Sequence, residues 1–544
     1  MNAIPRCRVV LLVSAALFAA MFCGVSGCGE LLALRGGAGE QAQTDRKALP
    51  APVQPGRGAT VSERRAPATP DAVPRDATAP DDVEQRPAAK TGLIRGLREQ
   101  VESSQPFEEA GVVDPLLDML TEADEILSQA KLRNMEAIRQ ANRQIRVGAA
   151  RLSPHIILLV VDRLRKTDLG CYGNPRSVTP QLDLMAASGM RFTNCYAGGA
   201  DPDAGLWALL TGKNPRHAPR TDSAAYQLRE DDQTLAEVLW RAGYNTAFVG
   251  VWTGTQRPLQ HGFDEWVGRL PTHDVAEAFP EVLLIGRSQM RIVENSGGQR
   301  RAGIHKLLQA EAESFIDRAS SNSRPFLLVV RLPSAEVCRI AAGSEASETA
   351  LAVWDEFVGG IHAFLSEKNL QRRTCVMFTA LSGDASHLTT TGTSPRPPTD
   401  HPLTEGNLQV PLLVSWAGSV PRDRVSDHVC AAWDVAATCI ELAHVSHRPP
   451  DLNGLSFVPA LRQQNQPEHA LLFWETRGTP RVQAVRKGTW KGVYIDGEKT
   501  LRLYDLAEDP QETTDVAAQH PEIVRQLIVP PAKSTKTAKA RPQS

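Results

Sequence analysis

The run "HIILLVV" at 155–161 is apolar at every position and stops at Asp162. Such a run is expected of a central parallel strand covered on both faces. After it, "TPQLDLMAASG" offers Thr179 as cap, Pro180 at the first helical position and Gly189 as a stop, which predicts a helix. The alternation returns in "QTLAEVLWRAG" before "YNTAFVG", in "KLLQAEAESFIDRA" before "PFLLVVRLP", and in "VWDEFVGGIHAFLSE" before "TCVMFTA". Helices alternating with buried runs predict an α/β domain with a large, mostly parallel sheet and flanking helices. Its site should lie beyond the carboxyl ends of the strands. After Ala470 the pattern shortens to "PRVQAVRKGTWKGVYIDGEKTLRLYDL", in which "DG" separates two alternating runs. A small antiparallel subdomain is expected there, closed by a helix at "PEIVRQLI".

Upstream of residue 151 the texture differs. Arg6 and Arg8 precede an apolar stretch from Val9 to Phe22 and then small residues, the order of an export signal. Residues from about 34 to 90 are rich in Ala, Pro, Arg, Asp and Thr and poor in large apolar side chains, so a disordered tether is expected. "VDPLLDMLTEADEILSQAKLRNMEAIRQANRQIRVG" then predicts a helix capped by Asp114 and Pro115, with a docking stripe that includes Leu116, Leu120, Leu127 and Ile145. The expected organisation is therefore signal peptide 1–28, tether 29–92, helical segment 93–150, α/β core 151–469, antiparallel subdomain 470–530 and a disordered tail 531–544.

Composition adds one exclusion. With 60 Lys and Arg against 62 Asp and Glu, the chain lacks the clustered positive excess that phosphate backbones require, so nucleic acid is not an expected partner. Within the leader, "VSGC" resembles the lipobox of bacterial lipoproteins, which implies acylation of Cys28 and a lipid anchor on a cell-envelope membrane. Downstream remain Cys171, Cys195, Cys338, Cys375, Cys430 and Cys439, and in an oxidising compartment some of these would pair. No CxxC spacing or Cys/His cluster points to zinc.

The segment "SPHIILLVVDRLRKTDLGCYGNPRSVTPQLDLMAASGMRFTNCYA" resembles the opening of the sulfatase family of the alkaline phosphatase-like superfamily. The likeness continues through "ALLTGKNP", "LAEVLWRAGYNTAFVGVW", "HGFDEWVG", "TEGNLQVPLLVSWAG", "LNGLSFVPAL" and "RLYDLAEDPQETTDVA", and spans nearly all of 154–530. It implies the alkaline phosphatase-like fold. It also implies sulfate-ester hydrolysis by a formylglycine made from Cys or Ser in C/S-x-P-x-R, beside calcium held by carboxylates and an amide. The aldehyde hydrate attacks, the cations neutralise the sulfate, and an acid protonates the leaving alcohol.

This chain departs from that pattern at the chemistry. In "CYAGGADPDAGLWALLTG" the nucleophile position falls on Pro202 and the motif arginine on Leu206. Cys195, the nearest thiol, lacks the motif and is expected to be structural. Asp162 matches the first metal carboxylate, but Arg163 stands at the second and Leu381 and Ser382 at the third and its partner. Val251 and Thr253 replace a lysine and a histidine, and His261 matches a family position of architectural character. Arg163 is expected to pair with Asp162 in the space of the cation.

These departures lead to an expected pseudo-sulfatase, anchored to the membrane, that binds or scaffolds sulfated or anionic saccharides. Arg163, with Lys213 or Arg216, would supply positive charge, and no cofactor is expected. The rival is a sulfate or phosphate ester hydrolase with a rearranged site built from Asp162, Asp201, Asp203, Asp384 and His387, with calcium as its cofactor. A third reading makes the body a spacer, with residues 93–150 assembling complexes.

Overall fold

The computed structural model describes residues 153–527 apart from 219–225, 255, 271–276, 323, 345–347, 384–400, 447 and 478. The leader with Cys28, the tether, the 93–150 helix, the tail from 531, and Asp384 and His387 lie outside the described residues. Among the described residues no helix is long and apolar enough to cross a membrane.

The apolar runs become the centre of one ten-stranded sheet. Its strands are β1 (His155–Arg163), β2 (Met190–Tyr196), β3 (Asn245–Val251), β4 (Glu265–Arg269), β5 (Val282–Ile285), β6 (Ser288–Arg291), β7 (Phe326–Arg331), β8 (Thr374–Ser382), β9 (Gln409–Ser415) and β10 (Arg424–Ala431). Their spatial order is β10-β2-β9-β8-β1-β7-β3-β4-β5-β6. The block from β8 through β4 is parallel, and Ile156 to Val161 of β1 are fully buried, as the uninterrupted apolar run requires. Strand β9 runs antiparallel to both its neighbours, and β5 and β6 form an antiparallel extension beyond β4. β5 and β6 are four residues each and lie at the edge of the sheet, whereas β9 is buried from Val410 to Ser415 between β2 and β8.

The longer helices are α1 (Pro180–Ala187), α2 (Pro202–Thr211), α3 (Leu235–Arg241), α4 (Ile304–Ser320), α5 (Ala335–Ala341), α6 (Glu348–Glu367), α7 (Ala432–Leu442) and α8 (Pro521–Leu527). A second, four-stranded antiparallel sheet follows: β11 (Leu472–Glu475), β12 (Val482–Lys487), β13 (Trp490–Ile495) and β14 (Arg502–Asp505). The "DG" signal lies between β13 and β14, where Gly497 has a φ of 98°, a left-handed conformation that glycine adopts without a Cβ clash. Leu527 of α8 packs with Phe473, Val485 and Leu503 in a small core of this sheet.

Register determines what meets at the carboxyl edge. Val160 of β1 faces Arg331 of β7, Arg163 faces Ser382 of β8, and Gly250 of β3 faces Arg331 on its other side. The last residues of the four central strands therefore converge.

Candidate functional site

Helix α2 sits over this convergence. Asp201 caps it, with Oδ1 accepting from the N–H of Ala204 at 2.8 Å, and Pro202 takes the first helical position, where a missing N–H costs nothing. The body of α2 is buried from Ala204 to Thr211 and packs against α7. Gly205 lets it lie directly on the end of β8: a Cβ there would fall 2.0 Å from the carbonyl oxygen of Leu381. Gly205→Ala is accordingly expected to lower stability by about 1–3 kcal/mol through overpacking. Urea unfolding checks this; an unchanged midpoint would mean that α2 moves freely over β8.

At the strand ends the centre is Arg331, a residue absent from every sequence-derived candidate set. Its side chain is only 4% exposed, and its Nε donates to Oδ1 of Asp162 at 2.6 Å. Nη1 donates to Thr253 Oγ1 at 3.0 Å, Thr253 donates in turn to Asp203 Oδ1 at 2.7 Å, and Nη2 lies 3.8 Å from that same oxygen. Burial by itself would lower the guanidinium's pKa, but the charge and hydrogen bond of Asp162, with Asp203 behind them, carry it upward, so Arg331 is a fixed cation. One arginine thus ties β1, β7, the segment after β3 and the start of α2 together.

This corrects the expected Arg163–Asp162 pair. Consecutive strand residues leave opposite faces, so Asp162 and its neighbour point apart, and the carboxylate finds its cation on the adjacent strand instead. Arg163 acts electrostatically on Asp201, as does Arg477, whose guanidinium lies 3.8 Å from the centre of the Tyr226 ring. Burial raises the pKa of the Asp201 carboxyl; the Ala204 N–H and these two arginines oppose the rise, while Asp203 adds to it.

The remaining candidates fall as follows. Leu206 is buried in the apolar body of α2, and Leu381 is fully buried at the end of β8. Ser382 donates its hydroxyl to the carbonyl of Ala200 at 2.7 Å, pinning the loop that enters α2. Lys213 and Arg216, expected to lend charge to the cleft, lie instead beyond the carboxyl end of α2, about 15 Å along the helix from Asp201 at 1.5 Å per residue. There Lys213 pairs with Asp451 and Arg216 stacks on Phe473. Cys195 is buried in β2, and His261 is buried beside Trp252, at 5.8 Å between rings. Asp162, Asp201 and Asp203 do come together around the strand ends.

The described residues do not fit calcium. An oxygen-rich cage is needed. Here Asp162 is engaged by a guanidinium, Arg163 is a cation, Leu381 is apolar, and the Ser382 hydroxyl donates to the carbonyl of Ala200. Among the described residues no three His, Cys, Asp or Glu side chains group so as to hold a metal.

Comparison with known proteins gives this architecture its relatives. Residues 154–334 match the sulfatase family model, and residues 401–529 match that of the C-terminal region of N-sulphoglucosamine sulphohydrolase. The chain is 30% identical over 365 residues to N-acetylgalactosamine-6-sulfatase of Sus scrofa, covering 60% of this chain and 70% of that protein. The chain belongs to the sulfatase family. The sulfatase fold itself is shared with Ps i-CgsB, solved in complex with k-i-k-neocarrahexaose (TM-score 0.59, 22% identity, 69% of this chain and 91% of that one). It is also shared with BT4656, solved in complex with its substrate D-glucosamine-2-N,6-O-disulfate (TM-score 0.56, 17% identity, 69% and 96%). In sulfatase terms, the mixed sheet with its separate four-stranded antiparallel sheet is the alkaline phosphatase-like architecture expected from the sequence. Pro202, which the resemblance sets at the nucleophile position, stands at the first turn of α2.

Proposed function

We propose that this sulfatase-family chain is a pseudo-sulfatase, a binding or scaffolding protein for sulfated or anionic saccharides, held to an envelope membrane by a lipid on Cys28. The observation that carries the loss of hydrolysis is the Arg331–Asp162 pair: a buried guanidinium holds the carboxylate that the family pattern assigns to metal. Pro202 adds to it, since a proline side chain has no oxygen, sulfur or nitrogen with which to attack sulfur or phosphorus. The saccharide class follows from the family and from the sugars bound by Ps i-CgsB and BT4656. Arg163 and Arg477, acting on Asp201 at the mouth of the strand ends, are the cations on which a sulfate would draw.

The decisive measurement is calcium content of the purified chain after calcium exposure and desalting. No retained metal is expected. About one tightly held equivalent would overturn the proposal and favour the hydrolase reading, in which Asp162, Asp201, Asp203, Asp384 and His387 form a new site. The hydrolase reading draws on the burial that favours a protonated Asp201, a group able to donate to a leaving oxygen. For the ligand, calorimetry against a panel of sulfated glycans is expected to find a binder whose heat disappears in Arg163→Ala. A silent panel would remove the saccharide role.

A further inference from the structure

Cys195 and Cys430 face each other across the sheet. Strand β10 pairs with β2 in parallel, and the register places Cys430 directly beside Cys195. Both side chains are buried, and both are free thiols. Adjacent strands stand about 4.8 Å apart, inside the roughly 4.4–6.8 Å separation of Cα atoms that a disulfide spans. The other described cysteines lack this strand-to-strand register: Cys338 donates to the carbonyl of Pro333 at 3.5 Å, Cys171 donates its backbone N–H to Asp183, and Cys375 and Cys439 sit in β8 and α7.

We propose that Cys195 and Cys430 are a redox-modification site, closed to a disulfide by exchange with a glutathione-type disulfide, and that the bond fastens the edge strand β10 to β2. In the first step one cysteine thiolate attacks the donor disulfide, forming a mixed disulfide and releasing one donor thiolate. In the second, the other cysteine thiolate displaces the second donor thiol. The two protein thiols lose two electrons and two protons, and the donor disulfide becomes two thiols.

Access comes from the edge. Strand β10 terminates the sheet order, and its pairing with β2 is broken by an irregularity between Ser426 and Val429, just before Cys430. An edge strand with an interrupted ladder opens more readily than the strands inside it. Burial holds the closed Cys430 thiol well above its usual range, so exchange proceeds from the opened edge.

The position of the pair gives the bond a consequence. Cys195 lies six residues ahead of Asp201, and Cys430 two residues ahead of Ala432, the first residue of α7, which packs on α2. The bond would anchor the segment that leads into α2 and the strand that leads into α7. The inference is independent of whether the site is catalytic.

The test is disulfide mapping of the whole chain, produced in an oxidising secretory compartment and, separately, incubated with glutathione disulfide at sub-denaturing urea. Alkylation of free thiols under denaturing conditions, digestion without reduction and mass spectrometry then report the linkage. A linked Cys195–Cys430 peptide is expected in at least one preparation, two hydrogens lighter than its parts, with Cys375 and Cys439 recovered alkylated. Cys430→Ser should abolish that species and return Cys195 as an alkylated thiol. Recovery of both cysteines as thiols in both preparations, or linkage of either to another cysteine, would overturn the proposal.

Discussion

Arg331→Ala is expected to lower the unfolding free energy by about 3–5 kcal/mol, the range for removing one partner of a buried ion pair. The side chain is nearly inaccessible, and its loss leaves Asp162, 25% exposed, without the cation that holds it. It also strips Thr253 of a donor and leaves Asp203 facing Asp162 with nothing positive between them. The penalty belongs to the orphaned carboxylates and not to the attraction itself. Arg331→Ala combined with Asp162→Asn should therefore recover much of what either single change loses. Urea denaturation of the four-member cycle measures this. Additive losses would mean that the arginine acts through packing, and a single-variant loss under about 1 kcal/mol would place it with ordinary surface pairs.

Lys491→Met is expected to cost a similar amount, about 3–5 kcal/mol, for a related reason. The Lys491 ammonium on β13 is fully inaccessible, 3.2 Å from Glu405 Oε2 and 2.7 Å from Glu512 Oε1. Glu512 also accepts from the backbone N–H of Glu405 at 2.6 Å, and Tyr196 and Gln409 donate to Glu405 from the large sheet. The lysine thus joins the C-terminal sheet to the core. Burial already raises the Glu512 carboxyl pKa, with Lys491 opposing the rise and Glu405 adding to it. Removing the cation removes what opposes the rise at Glu512, so the variant's deficit should shrink as the pH falls and that carboxyl takes up a proton. Unfolding measured across the acidic range, with limited proteolysis of the segment from β11 onward, tests both parts. A deficit that grows on acidification would contradict the arrangement.

Much of the architecture was legible because burial on both faces writes itself as an unbroken apolar run. β1, β7 and β8 are such runs, and Thr179 with Pro180 marked the start of α1. The antiparallel β9 and the edge strand β10 lie outside the helix–strand alternation that the apolar runs predict. The sequence of β10, "RVSDHVCA", is half-exposed and interrupted, so its place is decided by its pairing with β2. The expectation that Pro202 stands at the nucleophile position rests on the order of motifs alone, and the structure adds only that this residue opens α2. Arg331 was not, because its partner Asp162 lies 169 residues away and only the register of β1 on β7 joins them. A signal was present all the same: an arginine ending "FLLVV" is a charge at the edge of a buried run, where it must find a carboxylate. Adjacency along the chain favoured Arg163 instead, and the alternation of side chains in a strand defeats that choice. Lys213 and Arg216 were misplaced for a comparable reason, because a buried helix carried them away from the end of the sheet.

The Arg331–Asp162 contact also bears on whether this lineage can retrace its steps. If the proposed loss of hydrolysis holds, a change at residue 202 that supplied an attacking atom would meet a carboxylate already committed to a guanidinium. A change at residue 331 that released the carboxylate would come at a large fraction of the roughly 5–15 kcal/mol that keeps a typical protein folded. Neither step is useful alone, and the second is harmful alone. On the pseudo-sulfatase reading, the internal cation works as an evolutionary ratchet: once an arginine holds Asp162, selection on folding preserves it.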